Sequence, residues 1–209
     1  LSNINYMPQS GTLTFNPGDQ EKTVFIPIIN NSVFEDDITF KLSLRNGENV
    51  EIGSQAIITI TNNDPPPIIS TVEEITISEN QESAEITFAL SKPSKKEVTF
   101  NYSTSSGTAS LEDYIPISGS VVLPRGTFNK TISIPIIDDL IDENNETYKI
   151  IYTEPRFAAL ALNSSTIKIK DNDFPPSAEF FDTQNIIEGE AIEIPVSLNL
   201  ESGLQIEID

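Results

Sequence analysis

An internal repeat is the feature that most constrains what this chain can fold into. The segment Lys22–Ile29 recurs as Lys130–Ile137, with its proline at the same place in both copies. Ile58–Asp64 likewise recurs as Ile167–Asp173. Counted between matched positions, the period is about 108 residues, which is the size of one β-sandwich domain. The chain is therefore expected to be built from tandem copies of one small fold.

The register of the repeat sets the predicted domain boundaries. Both copies leave through a proline-containing exit, Asn62–Pro67 and Asp171–Pro176, and proline removes backbone donors and stiffens a junction. We predict a complete repeat at 68–175, the later part of a preceding repeat at 1–67 and the opening of a following one at 176–209. We expect this sequence to be a section of a longer tandem array, in which the partners of each repeat are the neighbouring repeats of the same chain. The alternative is that an adjacent chain completes the partial repeats by donating strands.

Apolar residues that alternate with period two predict strands throughout the complete repeat. Seven such runs lie near 72–78, 84–91, 96–103, 120–123, 128–137, 146–154 and 164–171. Hydrophobic residues make up 37% of the chain, which is enough to fill a core between two sheets. The prediction is an all-β fold of tandem immunoglobulin-like antiparallel β-sandwiches, with about seven strands per domain.

The loop Asp138–Glu146, between two of these strands, carries five acidic side chains within nine residues. Such a loop repels itself unless it is solvated, paired with local cations or bound to a metal. The whole chain has a formal net charge of −20. This charge argues against nucleic acid or an anionic membrane as a partner. It favours a cation or a basic protein surface.

The absence of cysteine and histidine from the sequence narrows the chemistry further. It excludes disulfides, thiolate nucleophiles, zinc fingers and imidazole bases. A pair of carboxylates alone suffices for glycoside hydrolysis, but the chain has no tryptophan platform and no glycine-rich phosphate loop. We therefore expect a protein that is not an enzyme. No apolar run approaches the roughly 20 residues of a membrane helix.

Six segments of the complete repeat, in this order and spacing, resemble the Calx-beta repeat family. They are Ile77–Asn80, Asp113–Tyr114, the hairpin Ser118–Gly126, Ile134–Asp139, Glu143–Tyr148 and Asp171–Asp173. The family occurs in sodium–calcium exchangers, in an integrin cytoplasmic region and in many bacterial and marine surface proteins. The resemblance implies a β-sandwich with calcium ions clustered at one end, near the exit to the next domain.

Carried over residue by residue, the resemblance implies eight metal ligands from four parts of the repeat. They are Glu79, Asp113, Asp138, Asp139, Glu143, Glu146, Asp171 and Asp173. Calcium takes six to eight oxygen ligands, and carboxylates can bridge two ions. Asp142 is expected to face outward. Asn145 and Asn172 stand where the family is often acidic, which predicts fewer or weaker sites.

A simpler alternative is that these acids only cap turns and solubilise one end of the domain. Glu79 and Asp113 argue against it, because they are far from the acidic loop in sequence and solubility alone does not require them there. The sequence therefore favours Ca²⁺ as the cofactor.

The first repeat is an internal control, because it keeps the apolar pattern and loses most of the ligand charge. The counterparts of Asp113, Asp138, Asp139, Glu146 and Asp171 are Asn5, Asn30, Asn31, Ile38 and Asn62, whereas Glu35 and Asp64 stay acidic. We predict that this site binds calcium very weakly or not at all. In the third repeat only Glu188 is matched, and the remaining ligands are expected beyond Asp209.

These observations lead to a functional expectation with one alternative. The expectation is a non-catalytic, calcium-binding structural or adhesive repeat of an extracellular or cell-surface array or filament, in which calcium rigidifies the junction between domains. Other cell-surface proteins would be its further partners. The alternative is a calcium-sensor module of a membrane transporter or signalling protein.

Overall fold

The structure is a computed structural model, and it describes residues 5–53, 55–180, 186–189 and 191–209. Part of the predicted third repeat lies outside these residues. The regular elements are β1 (Ile38–Leu42), β2 (Ala56–Ile60), β3 (Ile68–Ser70), β4 (Glu74–Ser78), β5 (Ser83–Leu90), β6 (Val98–Ser105), β7 (Ser118–Leu123), β8 (Asn129–Pro135), β9 (Glu146–Arg156), β10 (Ala159–Leu160), β11 (Ser164–Lys170), β12 (Ala178–Phe180) and β13 (Val196–Leu198). None of the described residues belongs to a helix that is long and apolar enough to cross a membrane.

Two sheets form the sandwich in the middle of the chain. One sheet has the strand order β10-β3-β5-β8, and the other has the order β4-β11-β9-β6-β7. Each of the seven strands that the sequence predicts is present, within a few residues of the predicted bounds. The prediction of an all-β, immunoglobulin-like sandwich is therefore confirmed.

The pairing is antiparallel except at two edges. β4 runs parallel to β11, and β3 runs parallel to β10. The chain reverses direction after each of the seven strands, so the first strand and the seventh run in the same direction. β4 belongs to the first strand and β11 is the seventh, and they are therefore parallel where they pair. The first strand is also split: Ile68–Ser70 joins one sheet and Glu74–Ser78 joins the other. The sequence did not predict this split.

The core lies between the sheets and follows from the alternation of side chains along each strand. Phe88 from one sheet packs edge-on against Phe100 and Tyr152 from the other, at ring-centroid distances of 4.8 and 5.0 Å. Ile134 and Ile167 are completely buried on the same inner faces. These contacts fix the two sheets against each other and hence the positions of the loops at both ends.

The first repeat is described as a smaller framework. β1 pairs with β2, and Tyr6 forms an isolated antiparallel bridge with Ile28. The segment Lys22–Pro27 is not a strand, although its counterpart in the complete repeat is β8. β8 pairs with β5, whereas the described residues of the first repeat supply no such partner strand for 22–27. Ile26, the counterpart of the completely buried Ile134, is only half-buried, and Phe25, the counterpart of the exposed Ser133, is 83% exposed.

The contrast between buried and exposed phenylalanines gives a test of this fold. Phe88→Ala removes a side chain that is completely buried, and we expect it to lower the free energy of unfolding by about 3–5 kcal/mol. Phe25→Ala is the matched control and should change it by less than about 0.5 kcal/mol. Urea unfolding followed by tyrosine fluorescence measures the difference, because four of the five tyrosines lie in the complete repeat (Tyr102, Tyr114, Tyr148 and Tyr152). Equal losses in the two variants would contradict the core described here.

Candidate metal centre

Strand pairing brings distant acidic residues to one end of the sandwich. β4 and β11 run parallel and end together, so Glu79 and Asp171, which follow them, leave the sheet side by side. β9 is antiparallel to β11 and begins where β11 ends, which places Glu146 opposite Ile169. Three acids separated by up to about ninety positions in sequence thus become neighbours through ladder geometry alone.

The loop that carries Asp113 reaches this end because of a close backbone approach. A Cβ atom added at Gly107 would lie 2.2 Å from the carbonyl oxygen of Thr147, so only glycine fits there. Next to it, the amide of Ala109 donates to the same carbonyl at 3.0 Å. The amide of Ile137 donates to the carbonyl of Asp113 at 2.9 Å. Asp113 is buried beside the end of β8 as a result.

The predicted ligands gather in two adjoining groups. In each group, one carboxylate oxygen from each residue lies within 4.8 Å of one oxygen from each of the other two. The groups are Glu79, Asp139 and Asp173, and Asp113, Glu143 and Glu146. Asp171 lines the small cavity at this end together with members of both groups. The structure therefore brings seven of the eight predicted ligands together. The eighth, Asp138, is exposed and belongs to neither group.

Burial and like charge raise the proton affinity of the first group. The pKa of Glu79 is raised to about 7, first by burial and then by the negative charges of Asp139, Asp171, Asp173 and Asp138. A carboxyl group with such a pKa is half protonated near neutral pH. The site thus carries more negative charge than its surroundings compensate.

The second group behaves in the same way. The pKa of Glu146 is raised to about 7. Burial is the largest cause, followed by a hydrogen bond to Asp113, the charge of Asp113 and the charges of Glu143 and Glu79. The pKa values of Glu143 and Asp173 are also raised, with burial again the first cause. In all four acids burial is the largest cause, and the negative charges of the neighbouring acids add to it.

Three carboxylate oxygens at this end are buried and have no hydrogen-bond donor among the described residues. They are Oε2 of Glu146, Oδ1 of Asp171 and Oδ2 of Asp173. Buried polar atoms are almost always hydrogen-bonded, since an unpartnered one is costly. A set made only of oxygen donors fits a hard divalent cation such as calcium. These residues therefore fit the metal that the resemblance implies.

Two asparagines contribute to the centre in a way that the sequence interpretation missed. Oδ1 of Asn145 accepts the amide of Asp171 at 3.1 Å, and Oδ1 of Asn172 accepts the amide of Asn80 at 2.8 Å. Both side chains thus hold the backbone beside a predicted ligand, Asp171 in one case and Glu79 in the other. The tendency of asparagine to bond nearby backbone groups was the available signal.

The expectation for Asp142 was wrong. Its side chain is half-buried, and the residue forms a parallel bridge with Ser202. The carbonyl of Asp142 accepts the amide of Gly203 at 3.1 Å. The acidic loop therefore contacts the segment that follows the complete repeat, a tertiary contact for which the sequence offers no pattern.

Comparison with known proteins identifies two matching regions. The family model described as the Calx-beta domain matches residues 2–65 and 62–173. Sodium/calcium exchanger 1 of Canis lupus familiaris is 28% identical over 180 residues, covering 75% of this chain and 19% of the exchanger. Adhesion G-protein coupled receptor V1 of Danio rerio is 32% identical over 172 residues, covering 75% of this chain and 3% of the receptor. The chain thus spans only a small part of either relative.

A solved structure also resembles the fold. The crystal structure of CBD12 from CALX1.2 aligns with a TM-score of 0.50 and 25% sequence identity, covering 55% of this chain and 49% of that one. The two regions of the family match end at residues 65 and 173, within the two exits that the internal repeat had marked.

The raised pKa values predict how the metal-free protein responds to pH. Because the folded-state pKa of Glu79 and of Glu146 is about 7, above the usual 4.5, the folded state binds more protons than the unfolded state between these values. The free energy of unfolding in EDTA should therefore fall as pH rises from about 4.5 through about 7. Urea midpoints measured across this range test the sign.

The double variant Glu79→Gln with Glu146→Gln is the control for that experiment. It removes the two titrating groups, so its unfolding free energy should depend much less on pH over the same interval. If the variant and the parent chain show the same slope, Glu79 and Glu146 are not the groups that cause the pH dependence.

Proposed function

The chain belongs to the Calx-beta family, and on that premise we propose that its second repeat is a non-catalytic calcium-binding module that senses calcium for a membrane transporter or signalling protein. The observation that carries the proposal is the set of buried carboxylate oxygens without donors at one end of the sandwich. All eight predicted acids are retained as proposed ligands, with Asp138 as the most exposed of them.

The proposed mechanism is electrostatic. In the metal-free state the two acid groups repel each other. Protons that bind to Glu79 and Glu146 near neutral pH reduce this repulsion in part. Calcium supplies positive charge and accepts six to eight oxygens when bound. Glu79 and Asp171 are fixed by their strands, so neutralisation acts mainly on the loop that carries Asp139 and Glu143. That loop gains order when the repulsion is removed.

The same loop transmits the effect of calcium binding to the segment that follows the second repeat. Asp142 bridges Ser202, and its neighbour Glu143 lies against Gly203, where an added Cβ would be 2.7 Å from Oε1 of the glutamate. The proposed ligand Glu143 and the junction residue Asp142 are thus adjacent on one short loop. A change of loop position on binding therefore reaches the following segment directly.

Similarity to the exchanger, which covers 75% of this chain, favours the sensor role. A second candidate function is the structural or adhesive repeat of an extracellular or cell-surface array, in which calcium stiffens the junction. The 32% identity with the adhesion receptor favours this candidate. In the array, neighbouring repeats and other cell-surface proteins would be the partners.

Isothermal titration of calcium into the chain tests the binding site. Asp138→Asn with Asp139→Asn imitates the asparagines of the first repeat, and we expect it to abolish the binding heat because affinity follows ligand charge. Glu73→Gln with Glu74→Gln is the matched control, since it removes the same charge at the start of β4, away from the acid groups. The control should bind as the parent chain does. No binding by the parent chain, or equal affinity in both variants, would overturn the proposed site.

Spin labels separate the sensor from the array. The chain has no cysteine, so Lys149→Cys and Glu201→Cys place one label on the second repeat and one on the segment after it, both at exposed positions. For a sensor, calcium should shift the mean distance between the labels, as a conformational switch requires. For an array, the distance distribution should narrow about an unchanged mean. The measurement is pulsed electron paramagnetic resonance with calcium or EDTA.

A further inference from the structure

The junction before the second repeat is constructed like the junction after it. Phe34 of the first repeat forms a parallel bridge with Ser94, just as Asp142 forms one with Ser202. The two bridges are separated by one repeat period along the sequence. In both, the loop at the metal-centre end of one repeat contacts the following repeat.

In each junction, the residue after the bridging serine donates a backbone hydrogen bond across the junction. The amide of Lys95 donates to the carbonyl of Phe34 at 2.9 Å, and the amide of Gly203 donates to the carbonyl of Asp142 at 3.1 Å. Lys95 and Gly203 are therefore equivalent positions. One carries an ammonium group and the other has no side chain.

The ammonium of Lys95 meets the acid that the first repeat retains. Nζ of Lys95 contacts Oε2 of Glu35, which is buried. The side-chain amides of Asn5 and Asn31 donate to Oε1 of Glu35 at 2.6 and 3.2 Å. Burial raises the pKa of Glu35, but Lys95 and the two amides outweigh it and hold the pKa below its usual value. This carboxylate is thus fully compensated by protein groups alone.

The surroundings of Glu35 keep the framework of the second centre. Tyr6 stacks on Phe40 with ring centroids 4.0 Å apart, and Tyr114 stacks on Tyr148 at the same distance. Tyr6 directly follows Asn5, and Tyr114 directly follows Asp113, so equivalent aromatic pairs stand next to both sites. What differs is the charge around the retained glutamate, and not the scaffold that holds it.

We propose that Lys95 is a tethered counter-cation, supplied by the second repeat, that takes the role in the first junction that calcium takes in the second. The first junction is then held closed without metal, whereas the second depends on it. The part that concerns Lys95 and Glu35 is independent of the proposed function. The contrast with the second junction rests on it.

Two further contacts support this assignment. Lys96 pairs with Asp36 and lies 5.5 Å from the ring centroid of Phe34, both in the first repeat, which adds a second cation to the first junction. At the second junction, the space that a side chain of residue 203 would need is filled by the carboxylate of Glu143. Glycine at this position leaves that carboxylate without a lysine.

Hydrogen exchange of two amides in the parent chain is the first test. The amide of Lys95 should show the same protection factor in calcium and in EDTA. The amide of Gly203 should lose protection in EDTA. If the protection of Lys95 also falls on removing calcium, the proposal is overturned. If neither amide responds to calcium, the calcium site of the proposed function fails and the metal-independent first junction is still supported.

Removing the ammonium is the second test. Lys95→Met should lower the protection factor of the amide of residue 95 by about tenfold or more, because it leaves a buried carboxylate without its cation. Adding Glu35→Gln should restore most of that protection, since the charge that needs compensation is then absent. Lys168→Met is the control, because Lys168 pairs with Glu74 at an exposed position. Unchanged protection in Lys95→Met, or no rescue by Glu35→Gln, would overturn the role of Lys95.

The reciprocal exchange tests the equivalence of the two positions. Gly203→Lys should bring an ammonium to Glu143 and weaken calcium binding by about tenfold or more in titration calorimetry. Gly203→Gln separates charge from size and should weaken binding clearly less. Equal effects of the two substitutions would show that a side chain at residue 203 acts by bulk, and would overturn the idea that a lysine there replaces the metal.

Discussion

The repulsion among carboxylates at one end of a rigid sandwich is the constraint on which the rest of this structure depends. The core packing around Phe88, Phe100 and Tyr152 fixes the sheets, and the sheets fix where Glu79 and Asp171 end. The acids cannot separate without disturbing strand pairing. Their charge must therefore be compensated where they stand, by protons, by a lysine or by a divalent cation.

The two repeats show two solutions to this constraint on one scaffold. The first retains one buried acid, Glu35, and surrounds it with amides and the ammonium of Lys95. The second concentrates acids and leaves buried oxygens without donors. Under the proposed function, the fixed cation gives the first junction a constant geometry, whereas the geometry of the second depends on calcium. An alternation of such junctions would let one chain combine rigid and responsive connections.

Most of the fold could be predicted from the sequence, because the period-two alternation and the repeat each leave a direct trace in it. The predicted strands from Glu74 to Lys170 are present, and the gathering of Glu79 and Asp113 with the acidic loop agrees with the resemblance. The split first strand and the parallel edges could not be predicted, since they depend on which sheet a strand joins. The position of Asp142 was predicted wrongly because its contact, Ser202, belongs to another repeat.

The sequence by itself determined the strand pattern, the repeat and the inventory of acidic side chains, because these are properties of residue order and residue type. The tertiary structure alone decided which charges meet. Lys95 is sixty positions from Glu35, and no local pattern relates the two; the parallel bridge between the repeats brings them together. The charge balance of a site depends on distances through space, and those are set only when the sheets pack and the repeats dock.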